Sequence, residues 1–120
     1  MNFTYTYNSN SVEIDIQLDP VSRQGTFYNK LTKDKAFVEF LNKYYCPELF
    51  FEEIEIYNWS FVILENKTIG FHIKMKKSDI DIHKFIEKLH RVAQKQLTEA
   101  ISFYTKVLAI LRIIQSTELS

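Results

Sequence analysis

The sequence predicts an α+β fold: an antiparallel sheet of about five strands, formed by an N-terminal hairpin plus a meander, with one short helix after the hairpin and one long C-terminal helix. Two observations carry this reading. Apolar and polar residues alternate with period two within residues 3–18 and again within 54–75, as in half-buried strands. From about residue 79 to 116 a 3.6-residue apolar phase runs on without a glycine or proline.

In the first segment Phe3, Tyr5 and Tyr7 alternate with Thr4 and Thr6, and Val12, Ile14, Ile16 and Leu18 alternate with Glu13, Asp15 and Gln17. Asn8-Ser9-Asn10 between them is a polar turn, which makes a hairpin, and Asp19-Pro20 ends it. Thr26-Phe27-Tyr28, beside Gly25, could add a short edge strand. Thr32 can cap a helix with Asp34 in its first turn; Phe37, Phe40, Leu41 and Tyr44 then form one apolar face, and Pro47 stops it. Three strands are expected next. Ile54 and Ile56 alternate with glutamates. Trp59 to Leu64 reads as a strand covered on both faces, and Ile69, Phe71, Ile73 and Met75 alternate with Gly70, His72 and Lys74. Ser78 and Asp81 match a capping box for the last helix, with aspartate in the third helical position.

That helix, about 79–116, holds Ile82, Phe85, Ile86, Leu89, Val92 and Ala93 on one half of its wheel. Leu97, Ala100, Ile101, Phe103, Tyr104, Val107, Leu108, Ile110, Leu111 and Ile114 stay on the same half. A break near residues 94–98 would reset the phase, so one continuous helix is expected. Thirty-eight residues span about 57 Å, whereas a compact domain of this length is roughly 35 Å across. The helix must overhang, and Leu97 to Ile114 has twelve apolar positions in eighteen. An apolar half-cylinder in water demands cover. The expectation is a single domain over residues 1–120 that forms a homodimer through Leu97, Ile101, Tyr104, Val107, Leu108, Leu111 and Ile114.

Composition excludes several functions. Two glycines, Gly25 and Gly70, in 120 residues are too few for phosphate loops that need clustered glycines, and one cysteine, Cys46, excludes a disulfide framework. Fifteen basic and fifteen acidic residues cancel, with −4 on residues 1–60 and +4 on residues 61–120, so no long-range field gathers DNA or an anionic membrane. The start, Met1-Asn2-Phe3-Thr4, lacks the pattern of a signal peptide, so a cytoplasmic location is expected and the acceptor triplets at Asn2, Asn58 and Asn66 carry little meaning.

Few motifs could carry chemistry. His83, Glu87 and His90 lie along one flank of the long helix with metal-ligand spacing, but one helix offers at most three ligands and surface histidines among lysines are commoner; no metal and no cofactor is expected. Cys46, at a helix end where the dipole disfavours thiolate, reads as a small buried hydrophobe. Glu52, Glu53 and Glu55 read as a solvated strand face that Lys74 and Lys76 could neutralise. Lys84, Lys88, Arg91 and Lys95, spaced 4, 3 and 4, form a basic line about 16 Å long without interleaved aromatics. No convincing catalytic set emerges. The function expected is a non-enzymatic protein-binding module of inhibitor, immunity or adaptor type, a homodimer that engages another protein through the basic line. A nucleic-acid or nucleotide-binding module using the same line is the alternative; no membrane partner is expected.

Overall fold

The outer polar and inner apolar positions of two hairpins build one four-stranded sheet. The computed structural model describes residues 2–19, 32–46 and 54–118. Strands β1 (Phe3–Tyr7) and β2 (Ser11–Gln17) form the first hairpin, closed where the Asn8 amide donates to the Ser11 carbonyl at 2.8 Å. Strands β3 (Ile56–Ile63) and β4 (Ile69–Lys76) form the second. Its turn runs through Lys67 at φ 64°, in the left-handed region, and the Leu64 amide donates to the Thr68 carbonyl at 2.8 Å. The order β1-β2-β4-β3, antiparallel throughout, places β2 and β4 at the centre. Register puts Val12, Ile14, Ile16, Phe71, Ile73 and Met75 on one face, all fully buried. The opposite face pairs Asp15 with His72 at 2.8 Å and Glu13 with Lys74 at 4.0 Å.

The strand count is therefore four among the described residues, not about five. Ile56 and the Trp59–Ile63 run, expected as two strands, belong to one strand interrupted by a bulge between Ile56 and Asn58. β3 is not covered on both faces as expected: Val62 is half-buried, and Ile63, the last residue of the strand, is exposed. Thr26-Phe27-Tyr28, Glu52 and Glu53 lie outside the described residues. Lys74 meets Glu13 at 4.0 Å, and the Lys76 amide donates to the Glu55 carbonyl at 2.8 Å.

Helix α1 (Lys35–Tyr44) starts at Asp34, whose carboxylate accepts from the Ala36 amide at 2.9 Å; Thr32, expected to cap, is buried instead. Phe37 and Leu41 are buried, while Tyr44, expected on the same face, is exposed because the helix ends there. Helix α2 (Ile82–Glu118) is continuous for 37 residues, through residues 94–98. Asp81 caps it from outside, accepting from the His83 and Lys84 amides at 3.1 and 3.3 Å, so the helix begins three residues later than expected. Thr98 and Thr105 sit within it by donating their hydroxyls to the carbonyls of Gln94 and Ile101 at 2.9 and 2.8 Å.

Helix α2 lies on the apolar face of the sheet, and Phe85, Ile86, Leu89, Ala93, Leu97, Ala100 and Ile101 join the core. Two side-chain amides lock the helices to the sheet. Asn42 of α1 donates to the Phe61 carbonyl at 2.9 Å and accepts from the Phe61 amide at 2.7 Å. Gln94 of α2 makes the same double contact with Asp19, at 2.9 and 2.8 Å.

Two substitutions test this packing. A Cβ built at Gly70 would stand 2.6 Å from the Leu64 side chain and 2.8 Å from the Ile16 carbonyl oxygen, and the backbone atom cannot swing aside. Gly70→Ala is expected to lower stability by about 1–3 kcal/mol in urea denaturation. Asn42→Ala strips both partners from the backbone of buried Phe61; a loss of about 1–3 kcal/mol is expected, with faster amide exchange at Phe61.

Candidate functional site: the exposed surface of the long helix

Helix α2 is longer than the sheet that supports it. The molecule measures 63 × 27 × 20 Å, and a 37-residue helix accounts for about 55 Å of the long dimension. From Phe85 to Ile101 the apolar sector is buried against the strands. At Phe103 and Tyr104 the cover changes to α1: Phe40 stacks on Phe103 with centroids 6.3 Å apart, and Phe37 and Phe40 meet Tyr104 at 5.4 and 5.3 Å. Past this point the sector opens. Phe103, Ile110, Leu111 and Ile114 are 53%, 55%, 49% and 46% exposed, and Ile113, on another side of the helix, 66%.

The expected dimer face is thereby divided. Leu97 and Ile101, expected at a subunit interface, are buried in the chain's own core, because the sheet extends further along α2 than a compact-domain estimate allows. Tyr104 is half-buried against α1, and Val107 and Leu108 are half-buried. Leu111 and Ile114 are open to a partner. Phe103 and Ile110 are open as well; the helical phase had placed both on the apolar half, but only the ends of sheet and α1 mark them as exposed.

Lys84, Lys88, Arg91 and Lys95 are all exposed, on the side of α2 turned away from Ile86, Leu89 and Ala93. The line is straight because the helix beneath it is continuous and pinned at Gln94. On the flank between this line and the sheet, His83 meets the ring edges of Phe3 and Tyr5 at 5.8 and 6.0 Å. Tyr5 packs on Tyr7 at 5.7 Å, and the Lys77 ammonium sits 5.2 Å over the Tyr7 ring. This aromatic row escaped the sequence reading because about eighty residues separate β1 from α2; its only signal was the alternating Phe3, Tyr5 and Tyr7. His83 thus faces β1 and His90 is half-buried; among the described residues no group of three or more His, Cys, Asp or Glu side chains could hold a metal ion.

A groove of about 720 Å³ runs beside β3 and includes Asn42, Cys46, Tyr57 and Trp59. Cys46 is exposed there, not buried as expected, since it follows the end of α1 and leaves the core. A second, about 530 Å³, brings Asp15 and Glu65 near Thr4, Gln17 and Asn66, with the Asp15 carboxylate already hydrogen-bonded to His72.

Where sheet cover gives way to α1, the Tyr45 phenol is held above the ordinary value of 10.0, chiefly by burial and secondarily by the negative charge of Glu99 on α2. The folded chain then holds this proton more tightly than the unfolded chain. Its contribution is intact below the ordinary value and is lost as pH rises through the raised one. Urea midpoints measured between about pH 9 and 11 should fall less steeply for Tyr45→Phe than for the parent chain.

No protein-family model, curated protein or solved structure matches the chain, so its function is read from the surface of α2 and what surrounds it.

Proposed function

We propose that this chain is a non-enzymatic, cytoplasmic protein-binding module of inhibitor, immunity or adaptor type, with α2 as its working surface. The observation that carries the reading is the exposure of Phe103, Ile110, Leu111 and Ile114 on a helix that continues beyond its own sheet. Contiguous apolar surface of this kind marks protein contact. The basic line of Lys84, Lys88, Arg91 and Lys95 engages the target, which is acidic where it meets the helix. A zero net charge weakens the nucleic-acid alternative, because phosphate binding draws on a broad positive field. The rings of Phe3, Tyr5 and Tyr7 are packed on one another and on His83, a flank away from the cations. Among the described residues no helix is long and apolar enough to cross a membrane.

Charge reversal tests the assignment. A variant with Lys84→Glu, Arg91→Glu and Lys95→Glu is expected to keep the parent melting temperature, because exposed charges contribute little to folding. It should fail to retain the protein that co-purifies with the parent chain from its native host and is identified by mass spectrometry. Labelled single- and double-stranded DNA and RNA, titrated near physiological salt, should bind no tighter than about micromolar. Tighter binding that weakens steeply with salt, and that the variant loses, would overturn the reading in favour of nucleic acid.

A further inference from the structure

We propose that Ser60, His72 and Asp15 form an acyl-acceptor site on the open face of the sheet, where Ser60 takes an acyl group from an uncharged ester. The site lies on the face turned away from α2. Its reaction modifies the chain itself, so it goes beyond the reading of α2 as a binding surface and does not depend on it.

Strand order makes the site. β4 runs between β2 and β3, and register sets His72 opposite Asp15 on one side and opposite Ser60 on the other. The three residues form one row across three strands, although Asp15 and His72 stand 57 positions apart in the chain. Their neighbours Ile14, Ile16, Phe61, Phe71 and Ile73 are buried on the helix side, so alternation turns the row outward.

The imidazole is oriented. His72 Nδ1 lies 2.8 Å from Asp15 Oδ1. An ionised carboxylate only accepts, so Nδ1 carries the proton and donates it, and Nε2 bears the lone pair. The two ring nitrogens lie on opposite edges of the imidazole, so with Nδ1 turned to β2, Nε2 is turned toward β3 and Ser60. Directly opposed residues of antiparallel strands hold their Cβ atoms about 4.5–5.5 Å apart. Among the described residues no hydrogen bond engages the half-buried Ser60 hydroxyl. A contact between nucleophile and base commonly tightens only when substrate is bound.

The next row supplies donors. Asn58 and Lys74 face each other one step along the same two strands, and the Lys74 ammonium is 4.0 Å from Glu13. Both can donate to the oxygen that becomes negative when an ester carbonyl is attacked. Glu13 and Asp15 on this face repel a dianionic phosphoryl donor, which leaves an uncharged ester as the substrate class. The groove bordered by Tyr57, Asn58, Trp59 and Ser60 gives its aryl or acyl part an apolar place to lie. In the step itself, His72 Nε2 takes the Ser60 proton as the serine oxygen bonds to the acyl carbon. The bond from that carbon to the leaving oxygen then breaks, and the leaving group receives the proton from Nε2. Ser60 ends as an ester, and the imidazole is restored.

Reaction with p-nitrophenyl acetate, read by peptide mass spectrometry, tests this. Ser60 of the parent chain should gain an acetyl group as nitrophenol is released. His72→Gln should slow acetylation at Ser60 by about a hundredfold or more, and Asp15→Asn by more than about tenfold. Both variants should keep the parent circular dichroism, because neither side chain is in the core. Nitrogen-15 spectra separate orientation from packing: His72 should be protonated on Nδ1 in the parent and divided between its two nitrogens in Asp15→Asn. Unchanged acetylation at Ser60 in a folded His72→Gln chain would overturn the proposal. So would an unmodified Ser60 in the parent chain under conditions that acetylate its surface lysines, a result that needs no variant. Nitrophenol release that survives Ser60→Ala yet is lost in His72→Gln would place the nucleophile on the ring and overturn Ser60 as acceptor.

Discussion

The packing of α2 along the apolar face of a narrower sheet is the contact on which the other features depend. Four strands of seven or eight residues or fewer present Val12, Ile14, Ile16, Leu18, Ile69, Phe71, Ile73 and Met75 to one side, each fully buried. The helix answers with Phe85, Ile86, Leu89, Ala93 and Leu97 at 3.6-residue spacing. Each large side chain so placed stabilises the fold by about 1.5–3 kcal/mol relative to its exposed form. Period two on one side and 3.6 on the other admit few alternatives, because a one-residue slip of β2 or β4 would turn its whole apolar row to water. The same contact fixes the straight course of the basic line and decides where the apolar sector runs out of cover.

Apolar packing alone leaves a helix some freedom to slide along a sheet, and polar anchors remove it. Gln94 grips the backbone of Asp19 just past β2, and Asn42 grips that of Phe61 in β3. Each amide supplies one donor and one acceptor to a single residue, as a neighbouring strand would. Asn42 thereby satisfies the outward backbone groups of Phe61, which has no further described strand beside it. The aromatic cluster of Phe37, Phe40, Phe103 and Tyr104 extends this junction and sets the point at which α1 hands α2 over to solvent.

Much of this was legible in the sequence, for local reasons. The alternation of β1, β2 and β4 and the unbroken phase of α2 are properties of neighbouring residues, and the structure follows them. Misreadings arose where partners are remote or where two local signals compete. Asp34 and Asp81 displaced Thr32 and Ser78 as caps because their carboxylates reach the free amides of the first turn, where the helix end is positive. The bulge in β3 divides its apolar pattern, so that one strand reads as two. The limit of the sheet along α2 depends on pairing order, which no local pattern records, and so Leu97 and Ile101 were placed outside a core that contains them. Placing Phe3 and Tyr5 against His83 required the tertiary fold itself.

A helix held by different things along its length has no single stability. Around Leu89 and Ala93, backbone amides open to solvent only when the sheet releases the helix, an event close to global unfolding. Around Leu111, in the isolated chain, opening needs only that the last turns unwind from the exposed end, a transition governed by helix propensity and counted in microseconds or less. Amide protection therefore falls along one continuous rod, with its step at Ile101–Tyr104. That step divides α2 into two cooperative units that share a backbone but not a folding event.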